Sequence, residues 1–198
     1  LALRDRAGDV EAVLLRPGAA GQRTFDAARG NKRLKLDLEA CLSLPDGRAV
    51  IFGSGSASAR ERIVLVRAGR APQIRPAAAF YRALRSVREF VGPALNLEGA
   101  ICHGDRVRLF QRGNGASDGS SSVNAVGDLS LDGFLAWLDA DGPVPRLQSV
   151  LQVDLGGIEG VPYGFTDGAV MNDGSIAFIA CAEASADVLS DGPVLGVR

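Results

Sequence analysis

The chain has 198 residues but only one histidine, one methionine, one tryptophan and two tyrosines. A single histidine, His103, excludes a multi-histidine metal centre, and any Ser-His-Asp triad would have to run through it. His103 lies in His103-Gly104-Asp105-Arg106, which reads as a turn, so triad chemistry is disfavoured. No Gly-x-Ser-x-Gly elbow, phosphate-binding loop or dinucleotide fingerprint is present. The three cysteines, Cys41, Cys102 and Cys181, are odd in number and lack Cys-x-x-Cys spacing, which argues against a disulfide framework and a zinc ribbon. Each lies in or beside a strand-like stretch and reads as a small buried hydrophobe. Unpaired thiols point to a cytoplasmic location, unless an export signal lies ahead of Leu1. Charge of one sign is also lacking: 22 basic against 23 acidic residues give a formal charge of −1. Neither nucleic acid nor an anionic membrane surface is therefore an expected partner, and no apolar run reaches the roughly 18 residues of a membrane span. A small-molecule ligand stays open.

What the chain has in quantity is glycine, 25 residues, within an ordinary globular composition of 46% hydrophobic and 23% charged residues. Turns punctuate a repeat. Asp37-Leu38-Glu39-Ala40, Asn96-Leu97-Glu98-Gly99 and Ile158-Glu159-Gly160 each place a lone carboxylate beside an aliphatic residue and a small one, with the glutamates 59 and 61 residues apart. A short apolar run, a turn and a second apolar run follow each glutamate. The turns are Pro45-Asp46-Gly47-Arg48, His103-Gly104-Asp105-Arg106 and Asn172-Asp173-Gly174, the last delayed by an insertion at residues 161–167. Glycine beside aspartate between apolar runs signals a hairpin, because tight hairpin turns need a positive φ. Further strand-like stretches occur at residues 63–66, 131–138 and 147–153.

Three to four strands per unit of about 60 residues, repeated without helices, is the pattern of β-propeller blades, so the expected fold is all-β, one propeller domain over residues 1–198. Residues 75–90 contain good helix formers after Pro76 and read as a helix, with a hairpin excursion as the competing reading. Gly53-Ser54-Gly55-Ser56 and Gly113-Asn114-Gly115 follow the second strand of their units at matching offsets and are expected at one rim.

Inner strands of a propeller line its channel, so Glu39, Glu98 and Glu159 would converge near the axis. Converging carboxylates need a cation or hydrogen-bond donors, which makes the three candidate ligands for a hard cation, Ca²⁺ before any transition metal. The competing reading has each glutamate accepting backbone or arginine hydrogen bonds and holding neighbouring sheets together. Arg60, Arg62 and Arg112, beside Ser54, Ser56 and Asn114, are candidates for binding a phosphate or carboxylate. Asn124, Tyr163, Asp167 and Glu183 fall near the same strand ends. In a hydrolytic reading the cation is the Lewis acid and lowers the pKa of a bound water, Glu159 or Glu183 is the base and Arg112 or Arg60 holds the anion, acting on a phosphoester or lactone-like molecule. The alternative is a non-catalytic propeller that binds a ligand or protein across its face.

The units around Asn96-Leu97-Glu98-Gly99-Ala100 and residues 158–167 resemble bacterial propeller proteins related to the esterase-like phytase family. The Glu-Gly element at a blade start is also similar to that of gluconolactonase-type propellers, where the resemblance implies a metal-ligating glutamate. Closer still is the similarity to a set of bacterial proteins without an assigned activity. These share Asp-Leu-Glu-Ala, Gly-Ser-Gly-Ser, Phe-Gln-Arg-Gly-Asn and Asp-Gly-Pro-Val-Leu-Gly, here at residues 37–40, 53–56, 110–114 and 191–196. The resemblance covers most of residues 34–196 and implies a propeller of five or six blades, more than 198 residues at this period supply, so that a portion ahead of Leu1 is expected to be absent, unless internal segments have been lost or each unit of about 60 residues spans more than one blade.

Overall fold

Apolar residues alternate with polar ones along short segments separated by Asp-Gly turns, and this pattern folds into antiparallel meanders. The computed structural model describes residues 2–6, 9–13, 15, 17–18, 21–26, 28–113, 123–140, 142–185 and 192–198. Strands β1 (Ala2–Arg6) and β2 (Asp9–Val13) pair as a hairpin. The first four-stranded sheet runs β3 (Leu38–Ser43), β4 (Ala49–Gly53), β5 (Arg62–Val66) and β6 (Gln73–Pro76). Helices α1 (Ala78–Arg85) and α2 (Arg88–Val91) follow. The second sheet is β7 (Leu97–His103), β8 (Arg106–Gln111), β9 (Ala125–Ser130) and, after helix α3 (Leu131–Ala140), β10 (Ser149–Gln152). The third is β11 (Gly157–Ile158), β12 (Val161–Val170), β13 (Ile176–Glu183) and β14 (Val194–Val197). Within every sheet each strand pairs with the next in sequence, so the molecule is mostly β and built from up-and-down antiparallel sheets.

The three expected hairpin turns are present, with glycines at φ of 81° (Gly47), 62° (Gly104) and 83° (Gly174). Two of them close alike: the Leu44 amide donates to Arg48 O and the Met171 amide to Ser175 O, each at 2.8 Å. The expectation of helix-free units is corrected. Residues 131–138, read as a strand, form α3, whose Phe134 and Leu138 are buried. Residues 75–90 are helical only from Ala78 onward, since Gln73–Pro76 is the edge strand of the first sheet. The cysteines do lie in strands, but none is buried: Cys41 is exposed, and Cys102 and Cys181 are half-buried.

Two cores hold the sheets together. Between the first and second sheets, Leu42, Val50 and Phe52 meet Leu97, Val107 and Leu109, with Phe80 of α1 and Phe134 of α3 closing the cluster. Arg48 anchors α3: Nε donates to Asp46 at 2.7 Å and Nη2 to Asp139 at 3.0 Å, linking the first hairpin turn to the helix. These two carboxylates hold the Arg48 guanidinium well above its ordinary value. Between the second and third sheets, Ile101 and Phe110 pack on Phe165, Leu155 and Ala180.

The second seam leaves no space for side chains where β7 and β12 meet. A Cβ on Gly168 would stand 2.6 Å from the Phe110 ring, itself buried, and one on Gly99 3.2 Å from the Gly168 amide. Gly168→Ala is expected to lower the unfolding free energy by about 1–3 kcal/mol, the range of an overpacked core, as read from urea melts. An unchanged denaturation midpoint would show that the seam is looser than this contact requires.

Candidate functional site

Each four-stranded sheet carries one pairing irregularity in its first long strand, at the start of β3 and β7 and midway along β12. In the first, Leu38 pairs with Gly53 and Ala40 with Phe52, leaving Glu39 unpaired; in the second, Leu97 pairs with Gln111 and Gly99 with Phe110, leaving Glu98. An extra residue in one strand of an antiparallel pair bends that strand and re-aims the side chain it carries. In the third sheet the matching break falls between Phe165 and Asp167. The counterpart of Glu39 and Glu98 is therefore Thr166. Glu159 occupies the exposed turn between β11 and β12, with φ of 52°. The even spacing of the three glutamates is thus no structural repeat: Glu39 and Glu98 correspond, and Glu159 does not join them.

Two residues before each true repeat stands a second polar group, Asp37 and Asn96. Asp37 is held at φ of 51°. Its backbone oxygen accepts the Ser54 amide at 2.8 Å, and its carboxylate accepts the Ser54 hydroxyl at 2.9 Å while pairing with Lys35 Nζ at 2.9 Å and Arg60 Nη1 at 2.5 Å. Arg60, also a donor to Ser56 Oγ at 2.8 Å, is buried. Burial works against ionisation of Asp37, but the Lys35 hydrogen bond and the charges of Arg60 and Lys35 outweigh it and hold the carboxyl below its ordinary value. Glu39, an exposed residue, is pushed up by desolvation and by the neighbouring Asp37 carboxylate.

Glu98 lies deeper, with 13% of its side chain exposed. Its Oε1 accepts Asn96 Nδ2 at 2.7 Å and stands 3.6 Å from Arg112 Nη1. Burial, against the opposing charge of Arg112 and with repulsion from Glu39 and Asp37, pushes the carboxyl up to about 7. Arg112 in turn crosses to the third sheet, where Nη2 donates to Glu183 Oε2 at 2.8 Å and to Cys181 Sγ at 3.3 Å. The Arg112 stem lies against Gly164, where any Cβ would come within 2.7 Å of it. Asn124 stitches the same seam: Oδ1 accepts the Gly113 amide at 2.9 Å and Nδ2 donates to Tyr163 O at 2.7 Å. A cleft of about 460 Å³ opens beside Arg112, Cys181 and Glu183, walled by Val161, Pro162 and Ser185 among others.

Of the expected site residues, Arg112, Asn124 and Glu183 meet across the seam of the second and third sheets with Glu98 beside Arg112, and Ser54 O accepts the Leu97 amide between the first and second, while Ser56, Arg60 and Glu39 lie about Asp37 in the first unit. Tyr163 contributes its backbone oxygen there, while its ring lies under the Arg198 guanidinium at 5.6 Å. Arg62 donates to the backbone oxygen of Glu61 at 3.0 Å, and the exposed Asp167 accepts the Gly168 amide at 2.7 Å; neither makes a contact to the carboxylate cluster. Asn114 lies outside the described residues. His103 Nε2 meets Gly174 O at 3.1 Å, a contact between two hairpin turns. Lys35, Asp37, Asn96, Cys181 and Ser185 were missed. For Asp37 and Asn96 a signal was present, the shared polar-Leu-Glu triplet; for the others none was.

Ca²⁺ needs six to eight oxygen ligands. Here the carboxylates are interleaved with Lys35, Arg60 and Arg112, and among the described residues no three His, Cys, Asp or Glu side chains are grouped to hold a metal ion. The donor set does not fit a hard cation.

No curated protein matches the sequence. Among solved structures, a candidate oxidoreductase (glucose dehydrogenase) from Thermus thermophilus is similar at a TM-score of 0.37 and 17% identity, over 74% of this chain and 36% of that one. The chain thus spans about a third of that protein's length, and a likeness at this level carries no argument about fold or chemistry. Over residues 31–198 the sequence matches the model of a family of unknown function (DUF6910), and the chain belongs to that family.

Proposed function

We propose that the three meanders are successive blades of a β-propeller and that the seam between the second and third carries an acid–base site acting on a small ester or lactone-like molecule. The blade reading is supported by the side-by-side placement of β3, β7 and β12, each interrupted by one pairing irregularity. The observation that carries the chemical reading is Glu98: a half-buried carboxyl, placed beside Arg112 and Asn96 and pushed up to about 7, takes up and releases a proton at neutral pH, as a general base or acid must. Arg112, 3.6 Å away, offers positive charge where an oxyanion would develop. Glu98 replaces Glu159 as the base in this reading, and Glu183 orients Arg112. No step runs through a cation.

A second reading, a non-catalytic binding scaffold, is favoured by a specific observation: Arg60 and Arg112 are each engaged by carboxylates of the fold itself, so the network also serves as a strut. The two separate on turnover. Hydrolysis of p-nitrophenyl acetate and of a γ-lactone is expected to follow a pH profile with a break near 7, and Glu98→Gln is expected to reduce the rate at least 100-fold and remove the break. Turnover on neither substrate between pH 5 and 9, or an unaltered profile in the variant, would leave the scaffold reading in its place.

A further inference from the structure

We infer that the cleft beside Arg112 is a subsite for a small monoanionic carboxylate ligand, held by the Arg112 guanidinium and the Ser185 hydroxyl. Among the described residues three buried side-chain polar atoms lack a hydrogen-bond partner: Nε of Arg60, Nε of Arg112 and Oγ of Ser185. Two of the three belong to residues that line this one cleft. Buried polar groups left unpaired are rare in folded proteins, and each calls for a partner. Arg112, with 7% of its surface exposed, makes side-chain hydrogen bonds through Nη2, to Glu183 and Cys181, and Nη1 stands 3.6 Å from Glu98. Nη2 is thus occupied, and the unpartnered Nε together with the Ser185 hydroxyl supplies one donor each, which matches an acceptor that presents two oxygens.

Charge narrows the ligand. Glu98 and Glu183 flank the guanidinium, so a dianion such as a phosphate ester would enter against two carboxylates, whereas a monoanion carries half the charge into the same repulsion. The remaining walls are apolar or backbone-rich, with Val161, Pro162 and Ala184 suited to a short aliphatic body. The inference deepens the acid–base reading, since it names the anionic part of that site's substrate, and it rests on that reading only for the conclusion that the ligand is turned over.

The test is direct binding by calorimetry at pH 7 and matched ionic strength, with propionate, inorganic phosphate and chloride as probes. Propionate is expected to bind saturably, phosphate more weakly and chloride not at all. Ser185→Ala, a change that removes only the hydroxyl, is expected to weaken propionate about tenfold, and Arg112→Lys to abolish binding. Propionate binding that is absent, equal to chloride, weaker than phosphate, or unaffected by Ser185→Ala would overturn the assignment. Glu98→Gln separates the two claims, because it is expected to retain or tighten propionate binding while abolishing turnover. Turnover that depends on Glu98 without propionate binding defeats the subsite and leaves the acid–base reading; propionate binding without turnover does the reverse.

Discussion

Phe80→Ala is expected to lower the free energy of unfolding by about 3–5 kcal/mol, the range for truncating a buried aromatic. The ring has no exposed surface and stands at the junction of three elements. It stacks on Trp137 of α3 at 5.1 Å, meets Tyr81 edge-on at 5.6 Å, and lies 6.1 Å from Phe52 of β4. Its loss would leave a cavity that the close-packed rings around it cannot collapse to fill, and the transfer and cavity terms add. Phe80→Leu, which restores most of the volume, is expected to recover more than half of the loss. Leu151→Ala, at a site 64% exposed, is expected to stay within about 0.5 kcal/mol of the parent. Urea melts of the three variants read all of this. A loss below about 1 kcal/mol for Phe80→Ala would mean that α1 and α3 do not close the core between the first two sheets.

The second large effect depends on pH. The Glu98 carboxyl moves from an ordinary 4.5 to about 7 in the fold, mainly through burial. Below about 4.5 the group is protonated in both states and contributes no difference. Between 4.5 and 7 the native state holds the proton that the unfolded chain has released, so stability falls as pH rises, and above 7 the full penalty remains, on the order of 3 kcal/mol at most. Glu98→Gln keeps an acceptor for Asn96 but carries no charge. It is expected to match the parent at pH 4.5 and to exceed it by about 1–3 kcal/mol at pH 8. Asp37 acts in the opposite sense: its depressed carboxyl loses its contribution as pH falls below the ordinary 3.8, outside this window and in both proteins alike. A variant less stable than the parent at pH 8 would mean that the attraction between Glu98 and Arg112 outweighs the burial of the carboxylate.

The hairpins were legible because their signal is local. Asp46-Gly47, Gly104-Asp105 and Asp173-Gly174 carry glycines that adopt the positive φ the turns require, and the flanking apolar runs pair across them. Residues 131–138 were not legible, since a short apolar run interrupted by Gly133 fits a buried strand and a buried helix equally well; tertiary contacts of Phe134 and Leu138 with the first core favour the helix. The glutamate repeat was half legible. The spacing of Glu39 and Glu98 reflects equivalent strand positions, but β11 and its turn precede β12, so counting about 60 residues onward falls on Glu159, before the equivalent strand begins. The signal that identifies Thr166 is the pairing irregularity between Phe165 and Asp167, which only the register reveals. Nor could chain order indicate that Arg112 would reach Glu183 and Cys181, 71 and 69 residues away, or that Glu98 would feel both Arg112 and the Asp37 carboxylate.

The site's chemistry depends on Glu98 exchanging its proton near neutrality while enclosed by the fold. Carbon-13 NMR of the glutamate side-chain carboxyls, followed from pH 3 to 9 and assigned by the signal absent in Glu98→Gln, measures this directly. A Glu98 midpoint near 7 is predicted; a midpoint at or below the ordinary value of 4.5 would contradict the account and leave Glu98 as a permanently charged partner of Arg112.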